Sequence, residues 1–185
     1  MHDKIFTGNP AALRQPERLK LLEIDRVVQI SALEAGLRSV LDVGTGTGVW
    51  ADAFSKAKLQ AEGVDVSREM LKIAAQHLPD IKFHLASAES LPFPDKSFDL
   101  VFMGLLLHET DNRANAMREA ARVARKRVAI LEWPMDIRQA GPPLNHRIPD
   151  DEIRKLAQNN SFVSLRVNHL SALVLYTLDL VSHNI

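Results

Sequence analysis

The run Ser39-Val40-Leu41-Asp42-Val43-Gly44-Thr45-Gly46-Thr47-Gly48 narrows the choice of fold more than any other stretch of the chain. Val40, Leu41 and Val43 read as a buried strand. The strand breaks into three glycines at alternate positions and then into a helical segment, Val49 to Ala57. Glycines at such a turn let backbone come close to a ligand, because no Cβ stands in the way. The helix start adds free N–H groups and the positive end of a dipole. The stretch therefore predicts a nucleotide-like ligand at the C-terminal end of this strand, the alternative being a plain glycine-rich turn.

The spacing refines that expectation. It is Gly-x-Gly-x-Gly, not the Gly-x-Gly-x-x-Gly of dinucleotide folds. Asp42 stands two residues before the first glycine. A carboxylate beside a diphosphate would repel it, whereas a carboxylate beside a cationic ligand is favourable. A nicotinamide-dependent oxidoreductase is disfavoured on both counts.

The rest of the chain alternates strands and helices. Strands are predicted at Ser39–Val43, Ala61–Val66, Ile81–Leu85, Phe98–Met103 and Arg127–Trp133, with two closing β segments at Ser161–Val167 and Leu173–Leu180. Helices are predicted from Pro16 to Ala35, Val49 to Lys58, Ser67 to Pro79, Asn112 to Lys126 and Asp150 to Asn159. Ser67 reads as an N-cap with Met70 three residues on. Strand four is nearly all apolar, as suits a strand covered on both faces. This order implies an α/β fold: a doubly wound, mostly parallel seven-stranded sheet ending in an antiparallel hairpin. Its ligand would lie outside the carboxyl ends of the strands, where strand order reverses.

At 185 residues, 46% hydrophobic and 25% charged, the chain reads as one soluble domain, 1–185. Residues 1–36 form an N-terminal arm and helix, and 37–185 the ligand-binding core. The N-terminal part is read either as a lid over the ligand mouth or as packing on the sheet, with Phe6 an anchor or a piece of the lid. Balanced charge (23 basic, 23 acidic) gives no general pull toward nucleic acid or an anionic membrane. The absence of cysteine excludes thiolate metal sites and cysteine nucleophiles. The seven histidines are scattered, so no metal site is predicted. No apolar run approaches a membrane span, and a cytoplasmic location is expected.

Asp65 ends strand two, where a carboxylate can accept hydrogen bonds from both hydroxyls of a ribose or else cap the next helix. With this residue in view, the chain resembles the class I S-adenosylmethionine-dependent methyltransferases, in particular the small-molecule branch with Leu-Pro-Phe before strand four. Four stretches carry the resemblance: Leu41 to Gly48; Gly63-Val64-Asp65-Val66-Ser67 with Met70-Leu71; Ala88-Glu89-Ser90-Leu91-Pro92-Phe93-Pro94-Asp95; and Phe98 to Met103 followed by Leu107-His108-Glu109. They stand in family order over about half of the chain.

The resemblance implies S-adenosylmethionine as cofactor and a small-molecule methyl acceptor. Asp42 would contact the methionine end, directly or through water. Gly44, Thr45 and Gly46 would pass against the ligand, with Gly48 starting the helix and Met103 ending strand four beside them. Asp65 would hold the ribose, and Val66 or Met70 would pack on adenine. Ser87, Ala88 and Glu89 would serve the adenine edge, although Ser87 stands where the family often has aspartate. His108 and Glu109 are the candidates for acceptor chemistry, His108 as a general base or as a residue of the cleft mouth. Glu109 would orient His108, contact a cationic substrate or start the next helix.

His146, Arg147 and Trp133-Pro134 are read either as acceptor-side elements or as solvated loop and cleft wall. The basic run Arg122–Arg127 reads as dipole complementation at a helix end rather than a phosphate site. No Asn/Asp-Pro-Pro-Tyr/Phe tetrad follows strand four, where Met103-Gly104-Leu105-Leu106 stands, which disfavours amino-methylation of nucleic acid. The segment after strand five is short. Either a small substrate sits under the N-terminal arm, or a homodimer completes the site. The competing function is a non-catalytic module that holds the cofactor, or nothing, and acts through a partner.

Overall fold

The computed structural model describes residues 8–136, 141–160 and 162–181. Phe6 lies outside the described residues. The strands are β1 (Ser39–Val43), β2 (Gln60–Asp65), β3 (Lys82–Leu85), β4 (Phe98–Gly104), β5 (Ala124–Glu132), β6 (Phe162–His169) and β7 (Val174–Leu180). They form one seven-stranded sheet in the order β3-β2-β1-β4-β5-β7-β6. The first five pair in parallel, and β7 pairs antiparallel with both β5 and β6. The chain moves outward from β1 to β3 and then returns to β4 on the other side of β1. The order reverses there, and a crevice opens at the carboxyl ends of these two strands.

Six α-helices accompany the sheet: α1 (Pro16–Leu21), α2 (Ile24–Ser31), α3 (Val49–Lys56), α4 (Arg68–His77), α5 (Arg113–Val123) and α6 (Asp150–Gln158). The period-2 alternation of β4 divides the core into two layers. Leu100 and Phe102 join Val27, Val28, Trp50 and Phe54 on one face, while Val101 and Met103 join Met117, Ala120, Ile153 and Tyr176 on the other. Trp50 and Phe54 both meet Phe102, with ring centroids 4.9 and 5.1 Å away.

Most element boundaries shift by a residue or two from the sequence reading, and two differ by more. The predicted helix from Pro16 to Ala35 is broken at Glu23, which takes a left-handed conformation (φ 45°) and separates α1 from α2. The apolar periodicity runs straight across this break, so nothing in it marks the joint. Residues 124–126 continue β5 rather than α5. Their helical propensity is outweighed by pairing, for Ala124 stands opposite Phe98 on β4.

The basic run is used internally. Arg122 holds the loop before β4 by donating to the carbonyls of Leu91 and Phe93, and it pairs with Glu119. Arg125 pairs with Asp99, and Arg127 with Asp179. Arg147 is no solvated loop residue: it is buried, donates to the carbonyls of Pro134, Asp136 and Pro142, and stands over the Trp133 ring. Among the described residues, no helix is long and apolar enough to cross a membrane.

Candidate active site

A cleft of about 550 Å³ opens at the carboxyl ends of β1, β2 and β4, within the usual range for a small-molecule site. Its floor is the glycine turn. Gly44 and Thr45 donate their N–H groups to the Val64 carbonyl at 2.8 and 2.9 Å, which fastens the turn to β2. Gly44 and Gly46 both have positive φ and face the cleft. At Gly44 the conformation is strained for any side chain, and a Cβ would lie 2.6 Å from the Leu106 Cδ1.

Asp65 stands at the end of β2. Its two oxygens accept from the backbone N–H groups of Gly46 and Ser67, each at 2.8 Å. One carboxylate thus joins the glycine turn to the start of α4, and Asp65 lines the cleft. Burial pushes its pKa up, against the lowering effect of those hydrogen bonds. Ser67 caps α4 as predicted, accepting from the Met70 N–H at 3.2 Å. Val66, Met70, Ala86, Ser87 and Ala88 continue the wall. The Ser87 hydroxyl accepts from the Glu89 N–H at 3.1 Å, and Glu89 accepts from the Asn112 N–H at 2.9 Å.

Ten of the fourteen candidate residues named from sequence line this one cleft: Gly44, Thr45, Gly46, Asp65, Val66, Met70, Ser87, Ala88, Glu89 and Glu109. Asp42, Gly48, Met103 and His108 do not. Met103 is turned away by strand alternation, which sends it into the α5 layer. Gly48 is the N-cap of α3 and packs toward Leu78 and Ala74 of the α4 end.

Asp42 lies beneath the turn, fully buried. Its Oδ2 accepts from the Thr45 hydroxyl at 2.6 Å and from the Ala51 N–H at 3.0 Å. Gly48 has no side chain to cap α3, and Asp42 supplies that function from the neighbouring strand. Its other oxygen, Oδ1, has no hydrogen-bond partner. Burial drives the Asp42 pKa up to about 7, against the two donors and with help from Asp65.

His108 faces inward. The short 3-10 turn Leu107–Glu109 directs its ring to Glu132 on β5, with Nδ1 2.7 Å from Oε2, while its backbone N–H donates to Oε1 at 3.1 Å. Both side chains are buried. Burial alone would lower the His108 pKa, but the Glu132 carboxylate outweighs it and the net shift is upward. Glu132 escaped the sequence reading. Its signal was slight: one acidic residue ending the apolar run Val128-Ala129-Ile130-Leu131. The pair fixes the connection after β4, so that Glu109, Thr110 and Asp111 form the cleft rim.

Leu105 carries this connection out of the strand with a left-handed backbone (φ 57°). Such a conformation costs a non-glycine residue about 1–2 kcal/mol. The Leu105 N–H donates to the Leu131 carbonyl at 2.8 Å, which holds the bend, and Leu106 is laid against Gly44. Trp133 does not close the cleft. It packs against Gly141, whose added Cβ would lie 2.5 Å from the ring. His146 likewise ends a turn away from the cleft wall.

The N-terminal segment reaches the cleft. Arg14 donates to the Thr47 carbonyl at 2.6 Å, and the Leu13 Cδ1 is 3.4 Å from the position of a Gly46 Cβ. Leu13, Arg18 and Leu22 contribute to the cleft wall. Trp50, Leu105 and Leu106 also line the cleft, and no local signature in the sequence marks these positions.

Residues 41–131 match a family model described as a methyltransferase domain. The chain is similar to a demethylmenaquinone methyltransferase of Thermotoga maritima, 37% identical over 111 residues that cover 58% of this chain and 48% of that protein. It is also similar to the uncharacterized methyltransferase YcgJ of Bacillus subtilis, 38% identical over 92 residues covering 47% of this chain and 36% of that protein. The chain thus matches half or less of the length of these curated relatives. Among solved structures, an S-adenosylmethionine-dependent methyltransferase from Aquifex aeolicus superposes with a TM-score of 0.78 at 25% identity, covering 95% of this chain and 100% of that one.

Proposed function

We propose that this chain, which belongs to the class I S-adenosylmethionine-dependent methyltransferases, transfers the methyl group of that cofactor to a small-molecule acceptor. One observation carries the reading: motifs spread from Gly44 to Glu89 converge on a single cleft at the reversal point of the sheet.

The cleft fits the cofactor on its own terms. At the turn, two buried polar atoms, Asp42 Oδ1 and Thr47 Oγ1, have no hydrogen-bond partner. Two glycines face the cleft without a Cβ, and a carboxylate follows at the end of β2. Beyond it the wall turns apolar, with Val66, Met70, Ala86 and Ala88. An amino acid joined to a nucleoside presents polar groups, a ribose and a flat base in that order.

The chain's own residues divide the work. The glycine turn receives the amino-acid portion, and Thr47 offers a hydroxyl to it. Asp65 accepts from the ribose hydroxyls. Val66 and Met70 sandwich the base, whose edge meets Ser87 and the Ala88 backbone. Asp42 acts from below by capping α3 and shaping the turn. When bound, the sulfonium supplies an electrophilic methyl group. Leu13 and Leu22 exclude water from it, and the described residues ahead of Leu22 would thereby serve as a lid. Much of the acceleration comes from holding the acceptor in line, which needs positioning more than acid–base chemistry. His108 is a positioning residue in this scheme, because its ring is committed to Glu132 and does not reach the cleft.

Calorimetry with S-adenosylmethionine and S-adenosylhomocysteine tests the reading. Binding of either is the expected result, followed by methyl transfer in an acceptor screen. Failure of both ligands to bind at millimolar concentration would overturn it.

A further inference from the structure

The strand order splits the cleft. The ends of β2 and β3, with Asp65, Val66 and Ser87, lie on one side of the glycine turn. The end of β4, with Gly104 and Leu105, lies on the other. The cofactor reading occupies the first half and leaves the second without a ligand.

Two hydrogen-bond donors in the wall on that account lack acceptors. Trp50 is 5% exposed, and its indole Nε1 stands against Gly104, 2.5 Å from where a Cβ would lie. Glycine at the end of β4 is what admits the ring nitrogen to this place. Among the described residues, Nε1 has no hydrogen-bond partner. Arg18 reaches the same cleft from α1. Its guanidinium is half-buried and has no hydrogen-bond or ion-pair partner among the described residues. Burial lowers its pKa, and the Glu109 charge opposes that effect. Glu109 itself stands 3.8 Å from the His108 Nε2.

Donors that face a cleft without a hydrogen-bond partner in the protein are open to a ligand, and a cation partly withdrawn from water favours a carboxylate within hydrogen-bond reach. Leu13, Leu22 and Leu105 add apolar surface to the same cleft. We propose that the β4 half of the cleft binds a compact, largely apolar carboxylate, whose oxygens accept from the Arg18 guanidinium and the Trp50 indole N–H. The planar guanidinium fork matches a carboxylate in shape as well as charge. A phosphate dianion fits less well, because Glu89, Glu109 and Asp111 line the same cleft and repel two charges more than one. The identification of this ligand as the methyl acceptor rests on the methyltransferase reading; the carboxylate site itself does not.

The test is calorimetry on the full chain with benzoate against benzamide and 3-phenylpropanoate against its amide, each with and without S-adenosylhomocysteine. At least one carboxylate should bind about tenfold or more tightly than its amide, the range expected of a charge-assisted hydrogen bond. Arg18→Gln should abolish that preference while leaving amide binding unchanged. Trp50→Phe should weaken the carboxylate several-fold and spare the amide. Arg18 packs in no core layer, so its variant decides the matter if Trp50→Phe does not fold. Equal binding of carboxylates and amides, no binding of any probe, or a preference that survives Arg18→Gln overturns the proposal. A carboxylate preference without S-adenosylhomocysteine binding would sustain this site and refute the cofactor reading.

Discussion

Substituting Asp42 with asparagine should change how stability depends on pH. The Asp42 carboxyl is fully buried, and its pKa rises from 3.8 to about 7 on folding. Between those values the native chain holds a proton that the unfolded chain has released. Stability therefore falls as pH rises through this window. The gap, at about 1.4 kcal/mol per pH unit, amounts to roughly 4 kcal/mol, of which about 2–3 kcal/mol falls between pH 5 and pH 8. In Asp42→Asn the amide oxygen keeps the hydrogen bonds from Thr45 and Ala51, while its NH2 takes the partnerless place of Oδ1. That burial costs about 1–3 kcal/mol at every pH. The variant should be the less stable protein at pH 5 and should draw level with or overtake the wild type by pH 8. Urea unfolding at both pH values measures this. Asp65 and His108, whose pKa values also rise on folding, give slopes of the same sign. These persist in the variant, so the difference between the two curves isolates Asp42. Parallel curves would refute the argument.

Further outcomes follow from the same geometry. Asp65→Ala removes the acceptor that joins Gly46 to Ser67, and S-adenosylhomocysteine binding measured by calorimetry should weaken by about 10–100-fold, the loss of one or two charge-assisted hydrogen bonds. His108→Ala leaves Glu132 buried without its partner and should lower stability by about 3–5 kcal/mol in urea titration. Its pH profile of methyl transfer, corrected for folded fraction, should match the wild type; loss of an ionisation near neutrality would instead make His108 the general base. Arg14→Ala unlatches the N-terminal cover from Thr47 and should speed S-adenosylhomocysteine release several-fold in stopped flow, with a change in stability of about 1 kcal/mol at most.

The sheet was legible because its central strands are apolar runs bounded by glycine, proline and polar residues. This part of the cleft wall was legible because the turn, Asp65 and the Ser87–Glu89 loop each follow a strand directly, so strand order alone brings them together. His108 was not. Its environment is set by Glu132, 24 residues away on another strand, and no local pattern announces such a pair. Asp42 was visible as a functional carboxylate, but its service to the α3 N–H groups depends on a strand–helix crossing that exists only in three dimensions. The β4 half of the cleft was the least legible part. Nothing local marks Trp50 or Arg18 as a cleft residue, and only the fold brings them to one cleft with Gly104.

The joint at Glu23 bears on the order in which the molecule comes apart. On one side of it α2 is sealed into the core by Val27 and Val28, while on the other α1 contributes no fully buried side chain. The Glu23 carboxylate accepts from the Ser171 N–H in the β6–β7 turn and pairs with Arg26, which pins the joint rather than the segment before it. Residues 10–21, ahead of the buried Leu22, should then open as a separate unit, at lower free energy than the sheet, and their amides should exchange with solvent while α2 stays protected. Ligand entry would proceed by this partial unfolding, in a protein whose core need not loosen at all.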